Sequence, residues 1–514
     1  MFSPQKICKK DIFSFVFLAI VFYSFFLPSL STSFIAINEP DWIERSARFI
    51  EAFLKGNFAN TYQKYHPGVA LMWIIGICVK LFGKEIFSVE NFPQFAFSAR
   101  LVLGTVFFLI VLLSFNRLRK AFSFGLMFFL VPFLLFSEPF VIAFVRSIGL
   151  DALLTAFIFA SFCFFGAYLK SNKFMDVAGA GIFFGLALLT KVTALVLVPV
   201  FVLGILGVLG VRPSASWRMG LTPIKPLLML FSISAVVFFL FFPAMWVGPL
   251  KTLKDIITLG AINAPLYDYA SPIVSDGIAG SVFAQKFLSY SLVFAFRASP
   301  LLLAFFLLGI IAFFSKKLDK KLRFLGVLAL VFLVCYYVPI SFAGKKIFRY
   351  ILPLFIPAGF LGYIGFCFAI GKIENKRWLL PIVIGVFSVR ILYNISFAPN
   401  YLFYFNPLLG GRVSAQKFIK IDFETTGYNE AGKYLNDKGV GEEKIIVTYP
   451  PKSLGPFVNG RVEDIRTYPN ADFLLVPLGK REEFKDKTTL CYALEKTFSY
   501  RGLEYLFLYE NICK

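Results

Sequence analysis

The sequence predicts an all-α polytopic membrane protein with a small α/β domain at its C-terminus. Three observations lead there. Hydrophobic residues make up 58% of the 514-residue chain, well above the usual ~45–50% of soluble domains. Apolar runs of about 18 to 20 residues recur along it, the length that crosses ~30 Å of hydrocarbon. Basic residues cluster between those runs, whereas the segment after Asn400 is nearly neutral. The net charge of +22 is therefore spread as a positive-inside orientation spreads it. That placement argues against nucleic acid as a partner.

Taking basic loops as cytoplasmic gives a path of about eleven spans. The first runs from Ile12 to Leu30, too long for a typical signal peptide, with Lys6, Lys9 and Lys10 holding the N-terminus inside. An outer loop, residues 31–67, leads to a helix from Gly68 to Phe82, short enough to be re-entrant or interfacial. Spans two to seven alternate through the basic turns Asn116–Lys120, Lys170–Lys173 and Arg212–Arg218, ending at Trp246. A long outer loop, residues 247–297, contains a Pro/Tyr/Asp cluster from Pro265 to Asp276. Span eight ends in Lys316–Arg323, the strongest inside signal, and spans nine to eleven finish at Phe397. Residues 1–398 thus form the transmembrane domain. Residues 399–514 form an extracytoplasmic domain with a helix at Tyr428–Asp437 and β-rich runs at Lys444–Tyr449 and Ala471–Pro477.

Several ionisable residues stand out from this background. Asn38-Glu39-Pro40-Asp41 opens an amphipathic helix with Trp42, Ile43, Phe49, Ile50, Phe53 and Leu54 on one face. Asp41–Arg45, Glu44–Arg48 and Glu51–Lys55 have the acid-before-base spacing that supports the exposed face, each worth ~0.3 kcal/mol. Such a helix lies in the membrane interface. Pro40 suits the first helical position, which puts Glu39 at the cap and Asp41 in the first turn. Either carboxylate complements the helix dipole or serves as a general base. His66 is the only histidine and precedes Pro67 at a helix start, where Pro67 alone explains helix initiation. Arg146 and Asp151 flank a span entrance, where charges are costly and usually paired. Lys191 ends the run Gly185-Leu186-Ala187-Leu188-Leu189-Thr190-Lys191, and a lysine there either snorkels or binds an anion. Lys345, Lys346 and Arg349 violate the positive-inside pattern by falling outside.

These segments resemble the polyprenyl-phosphate-dependent membrane glycosyltransferases of GT-C fold. The group includes the protein O-mannosyltransferases and the lipid A aminoarabinose transferases. The likeness is carried by the Asn38–Asp41 loop, His66-Pro67, Arg146 to Asp151, the Gly185–Lys191 run with Pro199, Phe242–Trp246, Tyr404–Gly411 and Gly344–Pro353. The last is similar to a Lys-x-x-Arg-Tyr-x-Leu-Pro stretch of those enzymes. An Asp-Glu pair opens their first loop, and its Asp is the usual candidate base. Here the aligned pair is Asn38-Glu39, which leaves Asp41 or Glu39 for that role. The resemblance implies transfer of a hexose or mannose-like sugar from a polyprenyl-phosphate donor to a hydroxyl on protein, lipid or glycan, with inversion. It also implies donor-phosphate contacts from His66, Lys191, Lys345, Lys346, Arg349 and Arg297. Arg146, Asp151 and Tyr350 would shape the site.

Several fixed cations could meet the phosphate charge without a metal, and no cofactor beyond the lipid-linked sugar is expected. Two other classes fit parts of the sequence. A transporter or flippase would also show many spans, but inverted repeats are not evident. A metal-dependent oligosaccharyltransferase-like enzyme would need acidic outer clusters, for which Asp268 and Asp276 are the candidates. Cys491 and Cys513 share the outer domain, where their spacing neither requires nor excludes a disulfide.

Overall fold

The computed structural model describes residues 9–31, 38–83, 85–206, 224–263, 273–274, 284–316, 318–344, 346–372, 377, 379–421, 423, 425–468, 470–481, 483–484 and 491–513. Helices fall on every span the sequence predicts. Among the described residues, five are long and apolar enough to cross a bilayer: Phe92–Phe122, Leu150–Ser171, Ile224–Phe241, Lys320–Phe342 and Phe348–Ile370. Others are shorter apolar helices, among them Phe174–Thr190 and Pro300–Phe313.

One predicted span is broken. Leu126–Phe136 and Pro139–Val145 meet at 65°, so the expected outer turn from Glu138 onward contains a short, wholly buried helix. The break is pinned where Glu138 is extended and Pro139 begins the second helix. The Glu138 carboxylate accepts from Arg390, from the Ser299 backbone N–H and from the Ser299 hydroxyl. A proline at the start of a helix loses no intrahelical bond, which lets the bend fall there.

The amphipathic helix spans Glu39–Leu54, with Asn38 as its cap and Pro40 inside its first turn. It therefore starts one residue earlier than the sequence suggests, because proline is tolerated throughout a first turn whose N–H groups lack intrahelical partners. Trp42, Ile43, Phe49 and Ile50 are buried as expected. The next helix, Val69–Phe82, is capped by Gly68 at φ +61°. Glycine is required twice over there, since a Cβ would also lie 2.3 Å from the Trp42 ring. Further on, helices Pro300–Phe313 and Phe355–Ile370 pack backbone to backbone. A Cβ on Gly309 would lie 2.0 Å from the Leu361 carbonyl, and one on Gly365 2.0 Å from that of Phe305. Small residues permit this close approach between membrane helices.

The C-terminal part holds one five-stranded mixed sheet. Its strands are β1 (Ile445–Thr448), β2 (Arg461–Asp464), β3 (Phe473–Pro477), β4 (Tyr492–Tyr500) and β5 (Leu503–Asn511), in the order β2-β1-β3-β5-β4. β1 is parallel to β2 and β3, and β5 is antiparallel to β3 and β4. Helix Tyr428–Asp437 has the predicted limits, and Cys491 is bonded to Cys513. The linker Tyr401–Asn406 is buried, anchored where the Tyr401 hydroxyl donates to the Phe25 carbonyl at 3.0 Å. The loop after Asn263 is clipped to the same part by Lys420 N–H donating to Ile273 O at 2.6 Å. Asp268 and Asp276 lie outside the described residues.

Candidate active site

A buried carboxylate with two cations forms the centre of the candidate site. Asp151 lies in the first turn of Leu150–Ser171. Lys191 follows the last residue of Phe174–Thr190, and Arg349 sits in the 3₁₀ turn Phe348–Leu354. Asp151 at a helix start and Lys191 at a helix end each suit the helix dipole, whereas Arg349 stands at the start of its turn. Lys191 Nζ is 2.8 Å from Asp151 Oδ1, and Arg349 Nε is 3.0 Å from Oδ2. Their side chains are only 6–12% exposed. One negative and two positive charges leave a net +1 in a poorly screened place.

Two more of the sequence-derived residues join them. The Tyr350 ring lies 4.0 Å from Lys191 Nζ, and its carbonyl accepts from the Tyr336 hydroxyl at 2.8 Å. His66 is near enough to Asp151 to act on it electrostatically. Its segment is tied down where Gly68 N–H donates to Thr190 O at 3.2 Å, next to Lys191. Trp42 rests on that same Gly68. The Trp42 side chain of the amphipathic helix therefore reaches the segment that borders Lys191.

The two acidic candidates in that turn have different surroundings. Glu39 is fully buried. Its Oε1 is 3.0 Å from Arg100 Nη2 and accepts the Ile148 N–H at 3.0 Å, while Arg100 Nη1 donates to Leu30 O. This is a structural ion pair stitching the first loop to a span. Asp41 is 43% exposed, 3.2 Å from Arg45 and 3.6 Å from Lys452 of the C-terminal domain. Only Asp41 is placed to exchange a proton with something arriving from solvent.

The remaining cations are placed elsewhere. Arg146 donates to the carbonyls of Pro399 (2.7 Å) and Pro28 and lies over the Tyr401 ring; the Arg146–Asp151 pairing considered from sequence does not form. Arg297 donates to Leu402 O and Tyr404 O and stacks 4.0 Å from the Phe405 ring. Lys345 lies outside the described residues. Lys346 donates to Ile340 O and Ser341 O, 5.0 Å from the Tyr290 ring. Burial, and secondarily Lys286, pushes the Lys346 ammonium down to about 8. Tyr290 also lines an apolar cleft of 390 Å³ that runs between helices Ser289–Arg297, Pro300–Phe313 and Lys320–Phe342. That cleft reaches Leu354, the last residue of the turn that carries Arg349.

Arg100, Tyr290 and Tyr336 were missed from sequence. Arg100 sits within an apolar run, and an arginine there is itself the signal of a buried partner. The tyrosines have no such signal in a chain with 22 of them. Among the described residues no group of three or more His, Cys, Asp or Glu could hold a metal ion.

Comparison with known proteins places the fold. No protein-family model matches the chain, and none of the curated proteins does. Solved structures match over nearly the whole length. The fold is that of a polytopic helical membrane protein with a C-terminal five-stranded α/β unit. Among the structures it is similar to is ArnT from Cupriavidus metallidurans. Its apo crystal structure matches with TM-score 0.50 and 14% identity, covering 97% of each chain. The structure of that protein bound to undecaprenyl phosphate matches with TM-score 0.50 and 16% identity over 98% of each. The chain therefore has an ArnT-like fold.

Proposed function

We propose that this protein is a membrane glycosyltransferase that moves a sugar, with a hexose such as mannose the first to assay, from a polyprenyl-phosphate donor to a hydroxyl acceptor at the outer membrane face. One observation carries the reading. Among the described residues two buried cations meet the Asp151 carboxylate near a cleft of apolar side chains, a setting that suits a lipid-linked phosphate. That the similar ArnT structure holds undecaprenyl phosphate supports the same ligand class here.

In this reading Asp41 accepts the proton of the acceptor hydroxyl, whose oxygen attacks the anomeric carbon. The bond from that carbon to the phosphate oxygen breaks, and its electron pair goes to the phosphate. The phosphodiester thereby becomes a monoester and gains negative charge. Lys191 and Arg349 meet that charge from fixed positions in a low-dielectric setting, where preorganised cations act most strongly. Arg349 offers the planar fork suited to phosphate, and Lys191 a point charge. Lys346 and Tyr290 stand at the cleft proposed for the prenyl chain. Glu39 holds the first loop in register instead of acting as base. An outer C-terminal domain accords with its disulfide, since disulfides persist in oxidising compartments.

Proteoliposomes fed radiolabelled polyprenyl-phosphate sugars, with and without a chelator, test this reading. Label should move from the prenyl-phosphate fraction to acceptor in both conditions. Transfer only from nucleotide sugars, or only with added metal, would overturn it.

A further inference from the structure

A second ligand-shaped space lies apart from the Asp151 cluster, where the last membrane helix, Leu379–Ile395, meets the outer domain. One part is a cavity of 230 Å³ with aromatic walls that include Phe397, Phe403 and Tyr500, and with Arg412 and Arg501 in its lining. The other is an apolar groove of 590 Å³ between that helix and Pro300–Phe313. Tyr393 and Pro407 line both, so the two spaces adjoin.

The charges here are uncompensated. Among the described residues Arg412 makes no hydrogen bond or ion pair, and its Nε is buried without a partner. Arg412 is in the first turn of helix Gly411–Phe418, whose leading N–H groups lack intrahelical acceptors and whose dipole adds positive potential. Arg501, at the β4–β5 turn, donates to the Ser396 carbonyl and stacks 4.3 Å from the Phe397 ring. No described acidic residue lines the cavity. Two guanidinium groups against aromatic walls with no carboxylate give the cavity a positive potential that suits an anion. The adjoining groove, walled by membrane helices, calls for a hydrocarbon chain on the same molecule.

We propose that this cavity and groove bind an anionic phospholipid, its phosphate held by Arg412 and Arg501 and one acyl chain lying along the groove. The site is separate from the donor site and does not depend on the catalytic reading.

The test measures binding of fluorescent phosphatidylglycerol and phosphatidylcholine to the purified full chain in neutral detergent, with inorganic phosphate as competitor. Phosphatidylglycerol should bind at least about tenfold tighter, because both lipids carry a phosphodiester but the choline cation of phosphatidylcholine offsets its charge and is repelled by the two arginines. Arg412→Gln combined with Arg501→Gln should remove that preference, and Arg412→Gln alone should reduce it. Gly385→Leu should weaken both lipids by filling the groove. A Cβ there meets open space, and leucine favours the helix, so folding is kept. Arg349→Ala should leave the preference unchanged. Equal binding of the two lipids, a preference that survives the double substitution, or loss of it in Arg349→Ala would each overturn the proposal. Displacement by equimolar inorganic phosphate would overturn it in favour of a free-anion site.

Discussion

Asp151→Asn should strengthen the grip on phosphate while weakening the protein, and the two effects follow from one geometry. Asp151 lies 2.8 Å from Lys191 and 3.0 Å from Arg349. Asparagine keeps the shape but raises the cluster from net +1 to net +2. A unit charge about 6 Å from a bound phosphate, at an effective dielectric of about 20, contributes about 3 kcal/mol. That is roughly 100-fold in affinity. Removing one partner of a buried pair costs about 3–5 kcal/mol of stability, and here it leaves two cations facing each other. The variant should therefore melt earlier yet bind polyprenyl phosphate up to about 100-fold tighter. Steady-state turnover should fall because the doubly charged product is retained, while the first turnover is less affected. The assay pairs a thermal melt with lipid-phosphate binding in nanodiscs and a comparison of single with multiple turnover. If phosphate affinity falls along with stability, the cations do not face the donor phosphate and the charge argument is wrong.

Four other outcomes follow. Glu39→Gln should lower stability by about 3–5 kcal/mol through its buried Arg100 pair, whereas Asp41→Asn should barely change the melt but cut turnover about 100-fold or more; a fully active Asp41→Asn enzyme removes the proposed base. Arg349→Lys should weaken donor binding about tenfold through loss of the fork, measured as donor affinity at matched protein yield, and an unchanged affinity contradicts a phosphate contact. Lys346 has its pKa lowered to about 8, so it is charged below that pH and loses its proton as pH rises through it. Donor affinity should decline across the same range and flatten in Lys346→Arg, as a pH titration of binding will show. Accessibility reporters should be cytoplasmic near Lys320 and outside after Gly410; the reverse labelling overturns the outer-face site.

Much of the fold was legible because a membrane imposes length and charge rules on sequence. The amphipathic helix was legible in detail. Asp41–Arg45 and Glu51–Lys55 form as the four-residue spacing requires. Glu44 instead meets Lys452, 2.7 Å away on the C-terminal domain, because tertiary contact can outcompete an exposed local pair worth only tenths of a kcal/mol. The site was half legible. Charged residues beside apolar runs marked Asp151, Lys191 and Arg349, and the family resemblance added His66 and Tyr350; the fold brings these together. Pairing was not legible, since Asp151 finds its partners on two other segments rather than at nearby Arg146. Arg297 looks like an anion binder in sequence and Arg146 like a site-shaping cation, but in the structure both donate to backbone carbonyls, Arg146 to Pro28 and Pro399 and Arg297 to Leu402 and Tyr404. Such carbonyls leave no trace in residue identity. β2, β4 and β5 were missed because β2 is short and exposed and the hairpin interleaves charged residues with apolar ones.

The most direct test is a structure of the protein with a polyprenyl-phosphate sugar bound. The account predicts the phosphate within hydrogen-bonding distance, about 3 Å, of both Arg349 and Lys191, with the prenyl chain entering the cleft lined by Tyr290. A phosphate bound elsewhere, with the Lys191–Asp151–Arg349 contacts unchanged and no lipid in that cleft, would contradict it.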